Sequence, residues 1–391
     1  MKRILYFHHA IGDGGAPRSL SLLIAGLQNS DFEPIVVMPD RQASDLVAGM
    51  FENAGAHVIK EKDIRPFNGS EVASCRRIKD RAYAILSYRG LVKTAERLVK
   101  KIKPDLVHLN STCLVGAAKG THLANRSIPV IAHVREPLLS NWWGRMLARM
   151  NRRHVNHFIS IDQYGLDSVG CGSDSADIIF NFVNLEDFRS NADRAHKKRD
   201  AIGWPKSKTV FLSLSRVSAS NGALDLANLI LSNTKRLDPS AVFAFAGFHE
   251  PLTSYAAKVA NVIAQCDRCL QLPFDPDPIG LIDAADVIIA PFTTPHSARS
   301  VFEGAAMGKP ALVSNLPNLC ELIIDQKTGL KFNLRNDDSF LESVNKLCDR
   351  EERNAQGGKA REFATEKFDQ IKNVRRTIDV YQDLLEKGFE S

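Results

Sequence analysis

Short apolar runs alternate with longer segments of mixed polarity along most of this 391-residue chain. The runs are nearly continuous in Val, Ile, Leu and Phe rather than alternating with polar residues, which is typical of parallel strands covered by helices on both faces. In the first half of the chain they begin at residues 3, 34, 57, 105, 129, 157 and 177. This pattern predicts a doubly wound α/β sheet.

The alternation stops over residues 184–208, where the chain is polar and densely charged and has no apolar period. It then restarts, with runs that begin at residues 209, 241, 269, 286, 310 and 329. We therefore predict two Rossmann-like domains, 1–185 and 186–367, that face each other across a ligand-binding cleft. In the remaining segment, 368–391, apolar residues recur at spacings of three and four, which predicts an amphipathic helix.

The composition fits a globular protein, with 44% hydrophobic and 25% charged residues. No apolar stretch approaches the roughly 20 residues of a membrane crossing, and the first residues do not resemble a secretion signal, so we expect a cytoplasmic protein. Cys266 and Cys269 form the one CxxC pair in the sequence. A zinc ribbon needs a second pair, and we therefore expect no metal.

The net charge of the whole chain is +6, yet residues 75–103 alone carry ten basic and two acidic residues, a net of +8. Apolar residues recur there at helical spacing, with a break allowed at Gly90. This basic helical face can bind an anionic membrane surface or can be an ordinary solvated face. Nucleic acid is less favoured because only two aromatic residues, Tyr83 and Tyr88, lie among the ten basic ones as possible stacking platforms. The basic residues are Arg76, Arg77, Lys79, Arg81, Arg89, Lys93, Arg97, Lys100, Lys101 and Lys103.

Two features of the first half follow strand ends, where ligands bind in this architecture. The loop GDGGAPRS, residues 12–19, places Gly14 and Gly15 before an apolar helix, where backbone amides can contact an anion. It lacks the dinucleotide spacing and is either a substrate loop or a plain turn. His133 ends a strand and can bond a sugar hydroxyl or a phosphate, although such a histidine can also be purely structural. His108, at a similar strand end, is the alternative candidate for this role.

Two features of the second half have the same position. The loop SLSRVSASNG, residues 213–222, carries Arg216, a fixed cation suited to phosphate. The stretch 291–310 reads as strand, polar loop and a helix that begins near Ser297. The first amides of this helix favour a diphosphate, and Glu303 can accept hydrogen bonds from a ribose diol or can merely suit the helix dipole.

In order, the chain shows the glycine loop, a strand-end histidine, the arginine loop, AGF (residues 246–248), LPF (272–274), RSVFEGAAMGKPALVS (299–314), Glu321 and TGL (328–330). This set resembles the retaining glycosyltransferases of family 4, the glycosyl transferases group 1, which have the GT-B fold. The resemblance is strongest over residues 213–333, and the stretch 299–314 is its specific part.

The resemblance implies transfer of a sugar, with retention, from a nucleotide-diphosphate sugar to a glycan or lipid-linked acceptor in surface polysaccharide synthesis. It implies no metal or cofactor and a final helix that crosses back to the first domain. Arg216 would neutralise the diphosphate, Glu303 would hold the ribose, Phe274 would lie beside the base and His133 would contact the sugar. The other donor-binding positions would be Gly14, Gly15, Asn221, Gly247, His296, Ser297, Arg299, Ser300 and Val301.

Two departures from the family pattern bear on activity. Pro295 stands where the family has a glutamate, and Asn221 stands where it has a lysine. We expect Arg299 to replace the lysine charge as a third catalytic residue beside His133 and Arg216, with His296 as a second candidate. The departures also leave open a catalytically silent GT-B protein that binds nucleotide or glycan. Another enzyme on the same fold, such as an epimerase or a phosphorylase, is a further alternative.

Overall fold

The chain forms two compact units in its computed structural model. Unit 1 comprises Met1–Phe182 with Gln370–Ser391, and unit 2 comprises Val183–Asp369. The structure describes residues 1–12, 14–28, 30–71 and 78–387. None of the helices in these ranges combines the length and the apolar character that a bilayer crossing requires.

In the described ranges, the sheet of unit 1 has seven parallel strands in the order β3-β2-β1-β4-β5-β6-β7, and that of unit 2 has six in the order β10-β9-β8-β11-β12-β13. The strands are β1 (Lys2–Phe7), β2 (Phe32–Pro39), β3 (His57–Glu61), β4 (Leu106–Leu109), β5 (Val130–Val134), β6 (His157–Ser160), β7 (Ala176–Ile178), β8 (Thr209–Leu214), β9 (Ala241–Phe248), β10 (Cys269–Pro273), β11 (Val287–Ala290), β12 (Ala311–Ser314) and β13 (Gly329–Phe332). Each apolar run of the sequence forms one of these strands, which confirms the predicted fold class.

Helices connect the strands and cover the faces of both sheets. They are α1 (Gly15–Gly26), α2 (Asp45–Asn53), α3 (Ile78–Ile102), α4 (Val115–Ala124), α5 (Trp142–His154), α6 (Gln163–Val169), α7 (Ala192–Ala201), α8 (Ala223–Asn233), α9 (Ser254–Ile263), α10 (Pro278–Ala284), α11 (Arg299–Ala306), α12 (Pro317–Cys320), α13 (Asp337–Cys348), α14 (Arg350–Lys367) and α15 (Gln370–Lys387).

Strand β1 shows why the strands read as continuous apolar runs. Ile4, Leu5, Tyr6 and Phe7 are all fully buried. Leu5 and Phe7 belong to one hydrophobic cluster, and Ile4 and Tyr6 belong to another. Because successive side chains of a strand point to opposite faces, a sheet with two covered faces needs an apolar residue at every position.

The C-terminal helix α15 packs on unit 1, as the resemblance implies. Its residues Val374 and Ile378 are buried in one cluster with Leu20 of α1. The hydroxyl of Tyr381 lies 3.1 Å from that of Tyr6 on β1. The apolar residues that recur at spacings of three and four in the sequence thus form a buried face of α15.

The polar segment 184–208 contains a helix, α7, that the sequence pattern did not predict. No residue of α7 is fully buried, so it has no apolar period to detect. It is held instead by charge: Arg194 lies 2.8 Å from Asp283, and Arg199 lies 2.6 Å from Asp286. An apolar pattern cannot reveal a helix that ion pairs hold in place.

Helix α3 continues through Gly90, where a break was allowed. A Cβ at Gly90 would lie 3.4 Å from the side chain of Asp63, an ordinary contact, and the glycine does not interrupt the helix. The apolar spacing of this segment does not describe its buried face throughout. Ile85, one of the apolar residues at helical spacing, is 47% exposed, whereas Ala84 is buried. Of the basic segment, Cys75, Arg76 and Arg77 lie outside the described residues.

Candidate functional site

The order of the strands locates one candidate site within each sheet. In unit 2 the chain runs outward in both directions from the neighbouring strands β8 and β11, and in unit 1 it does so from β1 and β4. In open α/β sheets, ligands bind outside the carboxyl ends of the strands at such a switch point. The loops after β1, β8 and β11, together with the first turns of the helices α1 and α11, carry most of the predicted site residues.

The two loops of unit 2 are bonded to each other. Asn221 donates through Nδ2 to the Arg216 carbonyl at 2.7 Å, and its Oδ1 lies 2.7 Å from Nε2 of His296. The Thr293 amide donates to the Ser220 carbonyl at 2.9 Å. The side-chain amide of Asn221 therefore holds the two loops together. Asn221 stands at the position where the family has a lysine.

Two glycines allow the backbones of this region to approach closely. Gly222 has φ +70°, and a Cβ there would lie 1.8 Å from the Pro291 carbonyl oxygen. Gly247 has φ +100°, and a Cβ there would lie 2.1 Å from the Ser215 carbonyl oxygen. A side chain at either position would force the loops apart. Gly222 was not among the predicted site residues, although its place at the end of the arginine loop was a signal for it.

Arg216 is exposed, and its guanidinium makes no hydrogen bond or ion pair with the described part of the chain. Helix α11 begins at Arg299, two residues after the predicted start at Ser297, and no side chain caps it. The Ser300 residue is buried in its first turn, while the Val301 amide donates to the Ala298 carbonyl at 3.1 Å. A fixed cation and an uncapped helix start are thus available for an anion in unit 2.

Arg299 and Glu303 form a pair one turn apart on α11. Nε of Arg299 lies 3.0 Å from Oε1 of Glu303, whose side chain is buried. The guanidinium carbon also lies 5.2 Å from the ring centre of Phe302. The two residues that the sequence assigned separately, to diphosphate and to ribose, hold each other, so a ligand would redistribute these hydrogen bonds.

His296 is stacked on Phe292, with ring centres 4.3 Å apart and 7° between the planes. Its Nδ1 lies 2.7 Å from the Thr294 carbonyl oxygen. Burial lowers the pKa of His296, and the hydrogen bond to Thr294 acts in the opposite direction. With Asn221 Oδ1 on the other ring nitrogen, both nitrogens face acceptors, an arrangement that only the protonated ring satisfies fully. A negative ligand would favour that protonated form.

Phe274 follows β10 and is 57% exposed. Its ring centre lies 4.7 Å from that of His249, which follows β9. An exposed ring at the carboxyl edge of the sheet can support a flat base. His249 was missed by the sequence reasoning, since nothing but its place two residues after Gly247 marks it.

In unit 1 the glycine loop leads directly into α1. Gly14 is the residue before the helix; its φ of −179° is an extended backbone that any residue adopts, and no atom lies within 4 Å of a Cβ placed there. Helix α1 begins at Gly15 and has neither a side-chain cap nor an acidic residue in its first turn. These glycines leave open space in front of α1, and the amides at its start are available to an anion.

His133 and its competitor His108 stack with ring centres 5.5 Å apart. His108 is tied to the core, since its Nδ1 lies 2.6 Å from the hydroxyl of Tyr381. His133 is buried, and its Nδ1 has no hydrogen-bond partner in the described ranges. Burial lowers the pKa of His133 well below its ordinary value, and Arg135 and His108 lower it further. A neutral imidazole there can bond a hydroxyl group.

Arg135 is the cation at the centre of this edge of unit 1. Its Nε donates to Asn110 at 2.7 Å and its Nη1 donates to Asn181 at 3.1 Å. Nδ1 of the buried His8 lies 2.8 Å from Nδ2 of Asn110, and Nε2 of His8 has no partner among the described atoms. Arg135 stands two residues after His133 in the sequence. Sequence reasoning missed His8 and both asparagines, because a single polar residue near a strand end carries no pattern that marks it.

The described residues contain no group of three or more His, Cys, Asp or Glu side chains placed to hold a metal ion. Cys266 and Cys269 are free and buried in the core of unit 2. Burial raises the pKa of the Cys269 thiol, as expected in apolar surroundings.

The two parallel sheets and their strand order have the GT-B fold. Residues 195–363, which make up most of unit 2, match the family described as "Glycosyl transferases group 1". This match confirms the resemblance found in the sequence.

One relative and two solved structures are similar to the chain over nearly its whole length. The chain is 22% identical over 385 residues to an Escherichia coli enzyme, UDP-Gal:alpha-D-GlcNAc-diphosphoundecaprenol alpha-1,3-galactosyltransferase, with 93% of this chain and 95% of that protein covered. It is 18% identical to Anabaena Alr3699/HepE in complex with UDP and glucose, with a TM-score of 0.78 and coverage of 98% and 100%. A glycosyltransferase from Rickettsia africae gives a TM-score of 0.79 at 16% identity, with 98% of each chain covered. These structures share the fold.

Proposed function

We propose that this glycosyltransferase moves a sugar from a UDP-sugar to a lipid-linked glycan acceptor, with retention, at the cytoplasmic face of a membrane during surface polysaccharide synthesis. The observation that carries the proposal is the switch point of unit 2, where the unpaired cation of Arg216 lies in a loop bonded to the loop before the uncapped start of α11. The names of the relatives support the details: one uses UDP-Gal and a diphosphoundecaprenol acceptor, and another binds UDP.

The donor roles follow from the geometry of unit 2. Arg216 and the first amides of α11 receive the diphosphate, because a fixed cation and free N–H groups suit its charge. Glu303 exchanges its bond with Arg299 for the ribose hydroxyls, which releases the guanidinium toward phosphate. The exposed ring of Phe274 lies beside the base, supported by His249. Gly247 and Asn221 hold the loops in place, and Ser297 precedes the helix start.

The reaction breaks the bond between the sugar C1 and the diphosphate oxygen, and the electron pair leaves with the diphosphate. The acceptor hydroxyl forms the new bond to C1 on the same face, and its proton passes to the departing diphosphate. Arg216, Arg299 and the α11 amides stabilise the negative charge that develops on the leaving group, so the chemistry requires no metal ion. His296 holds this region in place through its contacts with the Thr294 carbonyl and with Asn221.

Unit 1 supplies groups suited to sugar hydroxyls and to a phosphate. His133 offers a neutral ring for the transferred sugar, and Arg135, held between two asparagines, offers charge. The start of α1 at Gly14 and Gly15 offers amides for a phosphate. Neutral donors and acceptors around one cation match a sugar attached to a phosphate better than a purely anionic ligand.

The membrane role belongs to α3 and the start of α5. Tyr83, Leu86 and Trp142 expose 53%, 66% and 53% of their surfaces. Exposed basic residues of α3, such as Arg89 and Lys93, accompany them. Exposed aromatic and aliphatic side chains beside basic ones are typical of surfaces that bind anionic lipid interfaces. This surface would bring the enzyme to its lipid-linked acceptor.

The test is turnover with a panel of nucleotide sugars and a short-chain lipid diphosphate-linked GlcNAc acceptor, with the anomeric configuration of the product read by NMR. We expect UDP release and an α-linked product from a UDP-α-sugar, in the presence of EDTA as in its absence. A β-linked product, or activity that disappears with EDTA and returns with Mg²⁺, would contradict the proposed chemistry.

A catalytically silent protein is the second candidate, because Asn221 is engaged with Arg216 and His296 and Pro295 offers no carboxylate. It would bind UDP and raise its melting temperature by mass action, yet release nothing from any donor of the panel. Binding of UDP without turnover of any donor would favour a catalytically silent protein.

A further inference from the structure

A pocket of about 470 Å³ opens at the amino-terminal edge of the unit 2 sheet, the edge away from the donor loops. Thr209 begins β8, Asp286 directly precedes β11, and Pro310 directly precedes β12, and all three line the pocket. Six of its twelve lining residues are basic and one is acidic. The basic residues are Arg199, Lys206, Lys208, Lys309, Arg350 and Arg353.

Most of this positive charge has no carboxylate partner. Arg199 pairs with Asp286 at 2.6 Å, and Lys206 pairs with Asp200, outside the lining, at 2.9 Å. The other four basic residues form no ion pair with the described part of the chain. Three of them, Lys208, Lys309 and Arg353, donate only to backbone carbonyls. The pocket therefore concentrates four cations that form no ion pair with a carboxylate in the described part of the chain.

Lys309 lies deepest in this cluster. Its amine donates to the Asp283 carbonyl at 2.8 Å. Burial lowers the pKa of Lys309; Asp283 and Asp286 raise it, and Arg199 and Arg353 lower it further. Nε of Arg199 is buried and has no hydrogen-bond partner within the described ranges. Desolvated, crowded cations of this kind gain stability when an anion enters.

Two glycines fix the shape of the pocket. Gly308 has φ +71°, and a Cβ at Gly357 on α14 would lie 2.2 Å from the Gly308 carbonyl oxygen. This close approach holds α14 against the turn that carries Lys309. Arg350 and Arg353 stand at the start of the same helix, so their backbone is positioned before any ligand arrives. A positioned set of cations loses less entropy on binding than a mobile one.

We propose that this pocket binds a compact polyanion of the phosphate class, separately from the donor site. Its volume falls within the range of small-molecule sites, about 300–1,000 Å³. No aromatic residue lines it, so it offers no stacking surface for a nucleobase. The ligand is therefore a free phosphate compound, such as pyrophosphate, or the phosphate headgroup of a lipid.

The experiment titrates sodium pyrophosphate into the full chain by calorimetry, in an Arg216→Gln background that weakens the donor site. The pocket variant is Lys206→Gln with Arg350→Gln, since both side chains are exposed and their loss should not affect folding. The matched control is Lys235→Gln with Lys327→Gln, two exposed lysines of unit 2 outside the pocket. We expect the pocket variant to weaken pyrophosphate binding about tenfold or more, and the control to leave it within twofold.

The lipid source is distinguished by flotation of the same variants with phosphatidylglycerol and phosphatidylcholine vesicles. Loss of phosphatidylglycerol binding in the pocket variant alone, without calorimetric pyrophosphate binding in any form, would support the site with a lipid headgroup as its ligand. If the pocket and control variants behave alike with both probes, the proposal is overturned.

Discussion

The carboxyl edges of the two sheets have the same architecture but carry different chemistry. In unit 1, buried neutral histidines surround one arginine, Arg135, which two asparagines hold. In unit 2, Arg216 lies in the loop after β8, and Arg299 is the first residue of the uncapped helix α11. The difference teaches that strand order sets where a ligand binds, while a few loop residues decide its charge: we propose a hydroxyl-rich group at the first edge and a diphosphate at the second.

Removal of Arg216, which forms no ion pair with the described residues, is expected to have the largest effect. Arg216→Gln should lower kcat/KM for the UDP-sugar by about 100-fold or more, because a fixed charge on the leaving diphosphate is lost. Steady-state kinetics measure this. Arg335→Gln, at an exposed position of the same unit, removes the same charge and should change the rate less than twofold. Equal losses in the two variants would mean that net charge, not position, matters.

Acid should weaken unit 1 through its buried histidines. Burial lowers the pKa of His108 to about 3 and lowers that of His8 well below its ordinary value. The unfolded chain therefore binds more protons below pH 6.5, and the stability that is present above pH 6.5 is lost as the pH falls toward 3. Each such histidine contributes a slope of up to about 1.4 kcal/mol per pH unit.

This loss can be assigned to unit 1 by fluorescence. Trp204 is in unit 2, so a Trp204→Phe variant reports on Trp142 and Trp143 of unit 1 alone. Denaturant unfolding of that variant at pH 7.5 and 5.5 should show the lower stability at pH 5.5. The exposed His57 provides the control, since His57→Gln should leave the slope unchanged. A flat profile between these pH values would show that the buried rings are protonated in the folded state.

Arg299 sharpens the comparison within unit 2. Arg299→Ala should lower kcat/KM by about 10- to 100-fold, because it removes a cation from the diphosphate and leaves Glu303 buried without its partner. Arg299→Lys keeps the charge and should recover part of the loss. Unchanged donor affinity and turnover in the alanine variant would refute the role of Arg299 as the substitute for the family lysine and leave His296 as the remaining candidate.

The smallest effect is expected at the membrane surface of α3. Lys93→Gln should weaken binding to anionic vesicles about fivefold, in line with roughly 1 kcal/mol per cation, and Leu86→Ser should weaken it through lost apolar insertion. Flotation at low salt measures both. The Arg335→Gln variant of unit 2 serves as the charge-matched comparison. Absence of vesicle binding by the unmodified protein would remove the proposed docking role.

The sequence predicted the strands well because two-sided burial leaves an unmistakable mark, as in Ile4 to Phe7. The sequence pattern did not predict α7, because this helix is held by the ion pairs of Arg194 and Arg199 and not by apolar packing. Only the folded chain brings the acidic partners of these two residues near. The site shows the same division. Motif spacing indicated Arg216 and Glu303, but the bond between Glu303 and Arg299 depends on side-chain orientations on α11 that the motif does not specify.

The most direct test of the account is a crystal structure of the protein with UDP. We expect the β-phosphate within hydrogen-bond distance of the Arg216 guanidinium and the Ser300 amide, the ribose hydroxyls on Glu303 and the uracil ring against Phe274. A UDP molecule bound elsewhere, with Arg216 and the start of α11 free of phosphate, would contradict the assignment of the diphosphate to the switch point of unit 2.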